Sequence, residues 1–193
     1  MVKVTRKPHP KKKEKTRSIT YRFSEHLVDE LETEAMEQNI SQNVLVRQIL
    51  EKYIEWYRFS EKIGMVPVPK AILQTLGDGM SGKDIDKIID GIFPIIKDNV
   101  MFMKGGYDLK RCIETLEDYM KASGMKSDHR VEGALHHFII QHNLGIKWSV
   151  FTEQLLTQVF RSFLPDQGLK FQTTDTTVIA TIALGADFSE HEY

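Results

Sequence analysis

Cysteine is nearly absent from this chain: Cys112 is the one thiol among 193 residues. A single thiol closes no internal disulfide, so no disulfide framework is expected and a reducing cytoplasm is the natural compartment. Proline and glycine are sparse too, at 6 and 12. That scarcity excludes collagen-like and Pro/Gly-rich low-complexity classes. No uncharged apolar run approaches the roughly 18 residues that a membrane helix needs, so no membrane partner is expected. The N-terminus is basic but no apolar core follows its charges, and it does not read as a secretory signal. What remains is ordinary for a soluble intracellular protein. With 41% hydrophobic and 27% charged side chains, the chain can build one medium or two small domains.

Net charge is also nearly missing, at -1, but the balance conceals a split. Residues 1–17 hold Lys3, Arg6, Lys7, Lys11, Lys12, Lys13, Lys15 and Arg17 against Glu14, a net of +7. The other 176 residues carry 18 basic and 26 acidic side chains, a net of -8. A basic arm on an acidic body directs the arm alone toward a polyanion. The plainer alternative is a solvated tail that keeps the protein dissolved. Pro8 and Pro10 disfavour a helix, so residues 1–16 read as a flexible basic arm.

The stretch after the arm alternates strictly, with Ser18, Thr20 and Arg22 polar and Ile19, Tyr21 and Phe23 apolar. Period two over β-branched and aromatic residues predicts a half-buried strand. Ser24 then stands at an N-cap position, and Leu27, Val28, Leu31 and Ala35 form one stripe of a helix. Asn39 suits a left-handed helix stop. Ser41 caps a second helix bearing Leu45, Val46, Ile49, Leu50, Tyr53, Ile54 and Trp56. That stripe is too wide for one modest helix to bury. A lone strand also leaves both edges unpaired. The economical solution is a homodimer in which two strands pair antiparallel and their apolar side chains face four helices.

On these features, residues 17–59 resemble the Arc/CopG-type ribbon-helix-helix domain, an intertwined β-α-α dimer. The resemblance implies a two-stranded ribbon inserted in the major groove of double-stranded DNA, which is wide enough to admit it. Ser18, Thr20 and Arg22 would then read bases, with Arg22 able to bridge guanine O6 and N7. Ser41, Gln42 and Asn43, at the start of the second helix, would meet phosphate through free N–H groups and the helix dipole. Lys11, Lys12, Lys13, Lys15 and Arg17 would add phosphate attraction and salt dependence. The structural alternative for Ser18, Thr20 and Arg22 is the solvent face of an ordinary ribbon.

Residues 60–193 read as a separate α+β domain with a small antiparallel sheet, for ligand sensing or oligomerisation. Pro67-Val68-Pro69 marks the linker. A short helix to Leu76 and a turn at Gly77-Asp78-Gly79 follow. Ser81 caps a long helix that Pro94 should kink or split, and Asp108 caps the next, which ends at Gly124. Val131–Gln141 reads as one strand, Trp148–Leu164 as a helix, and Leu169–Thr173 with Thr177–Leu184 as a hairpin.

No Walker loop, dinucleotide fingerprint, zinc-protease helix or nucleophile elbow occurs, so no catalytic residue is assigned. No cofactor is expected either. Cys112 lies on an apolar helix stripe and reads as a buried thiol. His129, His136, His137 and His142 fall within 14 residues. On one extended strand, however, His136 and His142 would stand about 20 Å apart at about 3.3 Å per residue. His136 and His137 would point to opposite faces, so no metal site is assigned. The nickel-responsive ribbon-helix-helix repressors also attach a sensory α+β domain. This chain departs from their His-X-His and later-Cys pattern, because Cys112 precedes the cluster. His136, His142 and Trp148 are the candidates for a pocket that binds a small-molecule effector.

The expectation is a sequence-specific DNA-binding regulator, a repressor in the manner of the family it resembles, dimeric or paired into tetramers, and associated with the nucleoid. An antitoxin, an architectural DNA-binding protein, a metal-responsive regulator and an interaction module without a DNA role stay open as alternatives.

Overall fold

The computed structural model describes residues 16–184 and Phe188. Lys11, Lys12, Lys13 and Lys15, the expected phosphate contacts of the arm, lie outside the described residues. The chain divides into two compact units, Met1–Gln48 and Ile49–Tyr193.

In the first unit, Ser24 takes an extended conformation and its hydroxyl accepts the Leu27 N–H at 3.4 Å, opening α1 (Glu25–Glu37). Asn39 enters the left-handed region at φ 54°. The Ile40 N–H then returns to the Ala35 carbonyl at 3.0 Å, which closes the helix end. The Ser41 hydroxyl accepts the Val44 N–H at 3.3 Å at the start of α2 (Gln42–Lys52). Ala35 and Leu45 are the buried apolar residues of this unit. The strand expected over 17–23 is not formed, because described residues 16–24 pair with no other strand. Strand N–H and C=O groups need a neighbouring strand to meet them, and the single chain offers none at this place.

The second unit begins at Ile49, within the last turn of α2, and passes through a π-helical turn at Tyr53–Tyr57 and α3 (Arg58–Ser60). It continues with α4 (Lys70–Gly79), α5 (Gly82–Lys104), α6 (Leu109–Ala122), β1 (Lys126–Glu132), β2 (Leu135–Gln141), α7 (Ile146–Phe163), β3 (Leu169–Thr173) and β4 (Thr177–Ala183). The four strands form one antiparallel sheet in the order β1-β2-β4-β3. The second unit is therefore α+β with a small antiparallel sheet. Alternation decides its inner face. His136, Phe138 and Ile140 of β2 are buried with Val178, Ala180 and Ile182 of β4. Leu109, Cys112 and Ile113 of α6 and Leu156, Val159 and Phe160 of α7 complete this core.

Caps fix the helix boundaries. The Ser81 hydroxyl accepts the Asp84 N–H while the Asp84 carboxylate accepts the Ser81 N–H at 2.9 Å, a reciprocal capping box. Asp108 accepts the Arg111 N–H at 2.9 Å and opens α6. On β1, an edge strand, Lys126, Asp128, Arg130 and Glu132 are all exposed and alternate in sign.

Three expectations require correction. Val131–Gln141 is not one strand but part of a hairpin, since Gly133 turns the chain at φ +62° between β1 and β2. Gly77-Asp78-Gly79 is not a turn, because α4 runs through it to Gly79. Pro94 does not split α5. It lies on an exposed part of the helix, with Ile85, Ile89 and Val100 buried on either side of it. Packing of that apolar face outweighs the one backbone hydrogen bond that proline removes.

Among the described residues, no helix is long and apolar enough to cross a membrane. Phe160 is 1% exposed and its ring centroid stands 5.4 Å from that of Phe138, joining α7 to the sheet. Phe160→Ala should lower the unfolding free energy by about 3–5 kcal/mol, measured by urea denaturation followed by circular dichroism.

Candidate functional site

The N-terminal segment sorts its side chains by exposure without sorting them into a core. Ser18, Thr20 and Arg22 are exposed, as their polar chemistry requires. Ile19, Tyr21 and Phe23 are exposed too, at 64%, 62% and 52%. The rings of Tyr21 and Phe23 stack at 6.1 Å, so the two share one side of the segment, as a period of two dictates. Arg17 is also exposed. At the start of α2, Ser41 is engaged as the cap. The Gln42 amide donates to the Val28 carbonyl at 3.2 Å, which fastens the start of α2 to α1. Asn43 is exposed on the first turn. The backbone N–H groups of Gln42 and Asn43 have no acceptor within the helix, because the first turn of any helix lacks one.

In the second unit, the hairpin brings His129, which lay outside the expected strand, beside His136. His129 Nε2 and His136 Nδ1 meet at 2.9 Å, and the His129 ring stacks on Phe138 at 4.3 Å. His137 faces the other side of the sheet, with Nδ1 at 3.0 Å from the Thr181 hydroxyl. Among the described residues, no three His, Cys, Asp or Glu side chains gather to hold a metal ion. Burial pushes the Cys112 thiol up to about 11, away from reactivity at neutral pH.

His142 is 2% exposed and fully engaged. Its Nδ1 accepts the Leu144 N–H at 3.0 Å, which places the proton of the neutral ring on Nε2. Nε2 faces the Ser149 oxygen at 3.0 Å, and the Ser149 hydroxyl donates to the Thr174 carbonyl at 2.6 Å. The nitrogen next to Ser149 thus carries a proton already, so it cannot accept one from the serine. The arrangement fastens β2, α7 and the β3–β4 turn together.

Trp148 is held on its other side. Its Nε1 donates to the Leu73 carbonyl at 2.7 Å. A Cβ on Gly77 would come within 2.5 Å of the same nitrogen, so only glycine lets α4 approach the indole. His142 and Trp148 both line a cavity of about 70 Å³ between α6, α7 and the end of β2. His136 is not among the residues that line it and packs instead against His129 and Phe188. The structure therefore brings together two of the three expected pocket residues. Sequence reasoning missed Ser149, Leu73, Gly77 and the pairing of His129. For the last, a signal existed, since Glu132-Gly133-Ala134 interrupts the alternating pattern with a turn residue.

Burial holds His129, His136 and His142 below the usual imidazole range. Neighbouring His136 adds to this at His129, and His137 adds to it at His136. Asp128 and Asp175 act in the opposite sense on His129 and His142. All three are neutral in the fold and titrate near pH 6.5 when unfolded. The unfolded chain therefore binds the extra protons first, and stability falls as pH drops below about 6.5. Urea midpoints measured between pH 8 and pH 5 should show this loss. His142→Asn should flatten the slope, at the expense of stability at pH 8.

No protein-family model matches the chain, and no curated protein is significantly similar to it.

Proposed function

We propose that this chain is a dimeric, sequence-specific DNA-binding regulator, acting as a repressor, whose second unit senses a small molecule. One observation carries the reading. A single chain leaves Ile19, Tyr21 and Phe23 exposed on one parity of a basic, extended segment, followed directly by two capped helices. Side chains of that kind are covered in a folded protein, and exposed apolar patches mark an interface. The second-helix stripe supports the same reading, because Ile49, Leu50, Tyr53 and Ile54 are also exposed in one chain.

A second copy meets both needs. Antiparallel pairing of residues 17–23 with their equivalents satisfies the backbone of both strands and turns the three apolar side chains inward. The opposite parity then carries Ser18, Thr20 and Arg22 outward on a two-stranded ribbon of the width the major groove admits. Arg22 supplies bidentate donors for guanine, Ser18 and Thr20 donate or accept, and the Thr20 methyl can meet a thymine methyl. The start of α2, with Ser41, Gln42 and Asn43, and the basic residues Lys11, Lys12, Lys13, Lys15 and Arg17 face phosphate. No catalytic step is assigned, and the protein works at the nucleoid.

Selection from a random duplex pool at near-physiological salt tests the reading, and an enriched inverted repeat is the expected outcome. Enrichment of no sequence would replace it with an architectural role carried by charge. On the selected site, Arg22→Ala should cost about 1–3 kcal/mol and relax preference at one base position. Equal losses on selected and random DNA would contradict base reading by Arg22. The pair Tyr21→Asp and Phe23→Asp should shift the full-length chain from dimer to monomer in sedimentation equilibrium, with the helix content of the second unit kept.

A further inference from the structure

We infer that the cavity shared by His142 and Trp148 binds a small, uncharged, apolar molecule, and that Trp148 passes its occupancy to α4. This supplies a ligand class for the sensing role proposed above, and rests on that role only for what the signal controls.

The wall decides the class of ligand. Leu116 and Met120 of α6, Ile140 of β2, Leu144, and Leu155 of α7 surround a space of about 70 Å³, and no charged side chain borders it. The polar groups on the wall are already committed. Both His142 nitrogens have partners, and burial keeps the ring neutral. The Trp148 N–H is held by Leu73, and the Thr152 hydroxyl donates to the Trp148 carbonyl at 2.8 Å. Of the other lining side chains, only Tyr119 brings an oxygen, a single hydroxyl. A phosphate, carboxylate or ammonium group would enter without a countercharge or a set of hydrogen bonds, at a severe desolvation cost. An apolar guest loses nothing there.

Size narrows the class further. An apolar cavity of roughly 150 Å³ stays dry and takes benzene. This cavity is smaller, so it accepts an atom or short chain as it stands. Met120 and Met125 both stand on its wall, where a change of rotamer would enlarge the space toward single-ring size. Unbranched thioether side chains make such adjustments readily.

Transmission follows from how the indole is confined. The cavity lies against Trp148, while Leu73 and Gly77 of α4 hold the same ring through the 2.7 Å hydrogen bond and the missing Cβ. The Phe151 ring stands edge-on at 5.4 Å. A guest that displaces the indole must either break the bond to Leu73 or carry α4 with it. In the chain, α4 directly follows residues 61–69, the segment after the N-terminal helices.

The test uses the full-length chain with Trp56→Phe, so that Trp148 is the sole indole, and contains no DNA. Its failure is therefore separable from failure of the DNA reading, which the duplex selection reports. Xenon and toluene are titrated while Trp148 emission and Tm are followed. The expected result is a saturable change in emission with a rise in Tm for at least one probe. Leu116→Phe and Leu144→Phe fill the cavity from two sides, and each should weaken the apparent affinity at least tenfold. If one of these does not fold, the other suffices. A response that does not saturate, or that neither filled variant alters, overturns the binding site. So does the absence of any response in the unfilled chain. A saturable rise in Tm with unchanged Trp148 emission overturns the link to α4.

Discussion

Backbone polar groups must be paired once they leave water, and the extended segment after the basic arm has no strand partner among the described residues. Between the basic arm and α1, the chain runs through residues 16–24 without a strand partner and presents Ile19, Tyr21 and Phe23 to solvent. Everything proposed for the function descends from this imbalance. The helices after it are fully specified, with Ser24 and Ser41 as caps and Asn39 as the left-handed stop between them. Their interior amounts to Ala35 and Leu45, too little apolar burial to hold two helices and an extended segment in place. The proposal of a second copy starts from this shortfall in burial.

The second unit solves the opposite problem, since its polar groups must survive inside a well-filled core. His142 and Ser149 are buried because each donor and acceptor between Leu144 and Thr174 is matched in one consistent tautomer. Trp148 keeps its N–H satisfied by borrowing a carbonyl from α4. These connections cross between elements far apart in sequence and leave an apolar hollow where the side chains around them do not quite meet. Rigid polar connections thus stand beside a soft apolar space.

Local chemistry made much of this legible in the sequence. Caps at Ser24, Ser41, Ser81 and Asp108 depend on neighbouring residues only, and each stands where its side chain predicted it. The strand limits of β3 and β4 were equally readable, because period-two apolar patterning flanks a polar turn. What escaped depends on contacts with distant residues. Pro94 reads as a break until one knows that buried isoleucines on one face hold α5 through it. Gly77 reads as a turn until the Trp148 ring, 71 positions later, claims the space above it. The pairing of His129 with His136 went unread because a single residue, Gly133, folds the presumed strand back on itself and changes which rings are neighbours. The strand over 17–23 stands apart from these. Its pattern is plain, yet no strand partner for it exists among the described residues.

The edge of the sheet bears on how crowded copies of this protein behave. β1 presents Lys126, Asp128, Arg130 and Glu132 along an otherwise open border. Against another copy of this edge, each two-residue shift of register exchanges opposite-sign neighbours for like-sign ones, so the alternating charges disfavour some registers and favour others. Contact along this border is thereby selective for register rather than free to slide. β3 is the other edge of the same sheet, and residues 16–24 are likewise without a strand partner among the described residues.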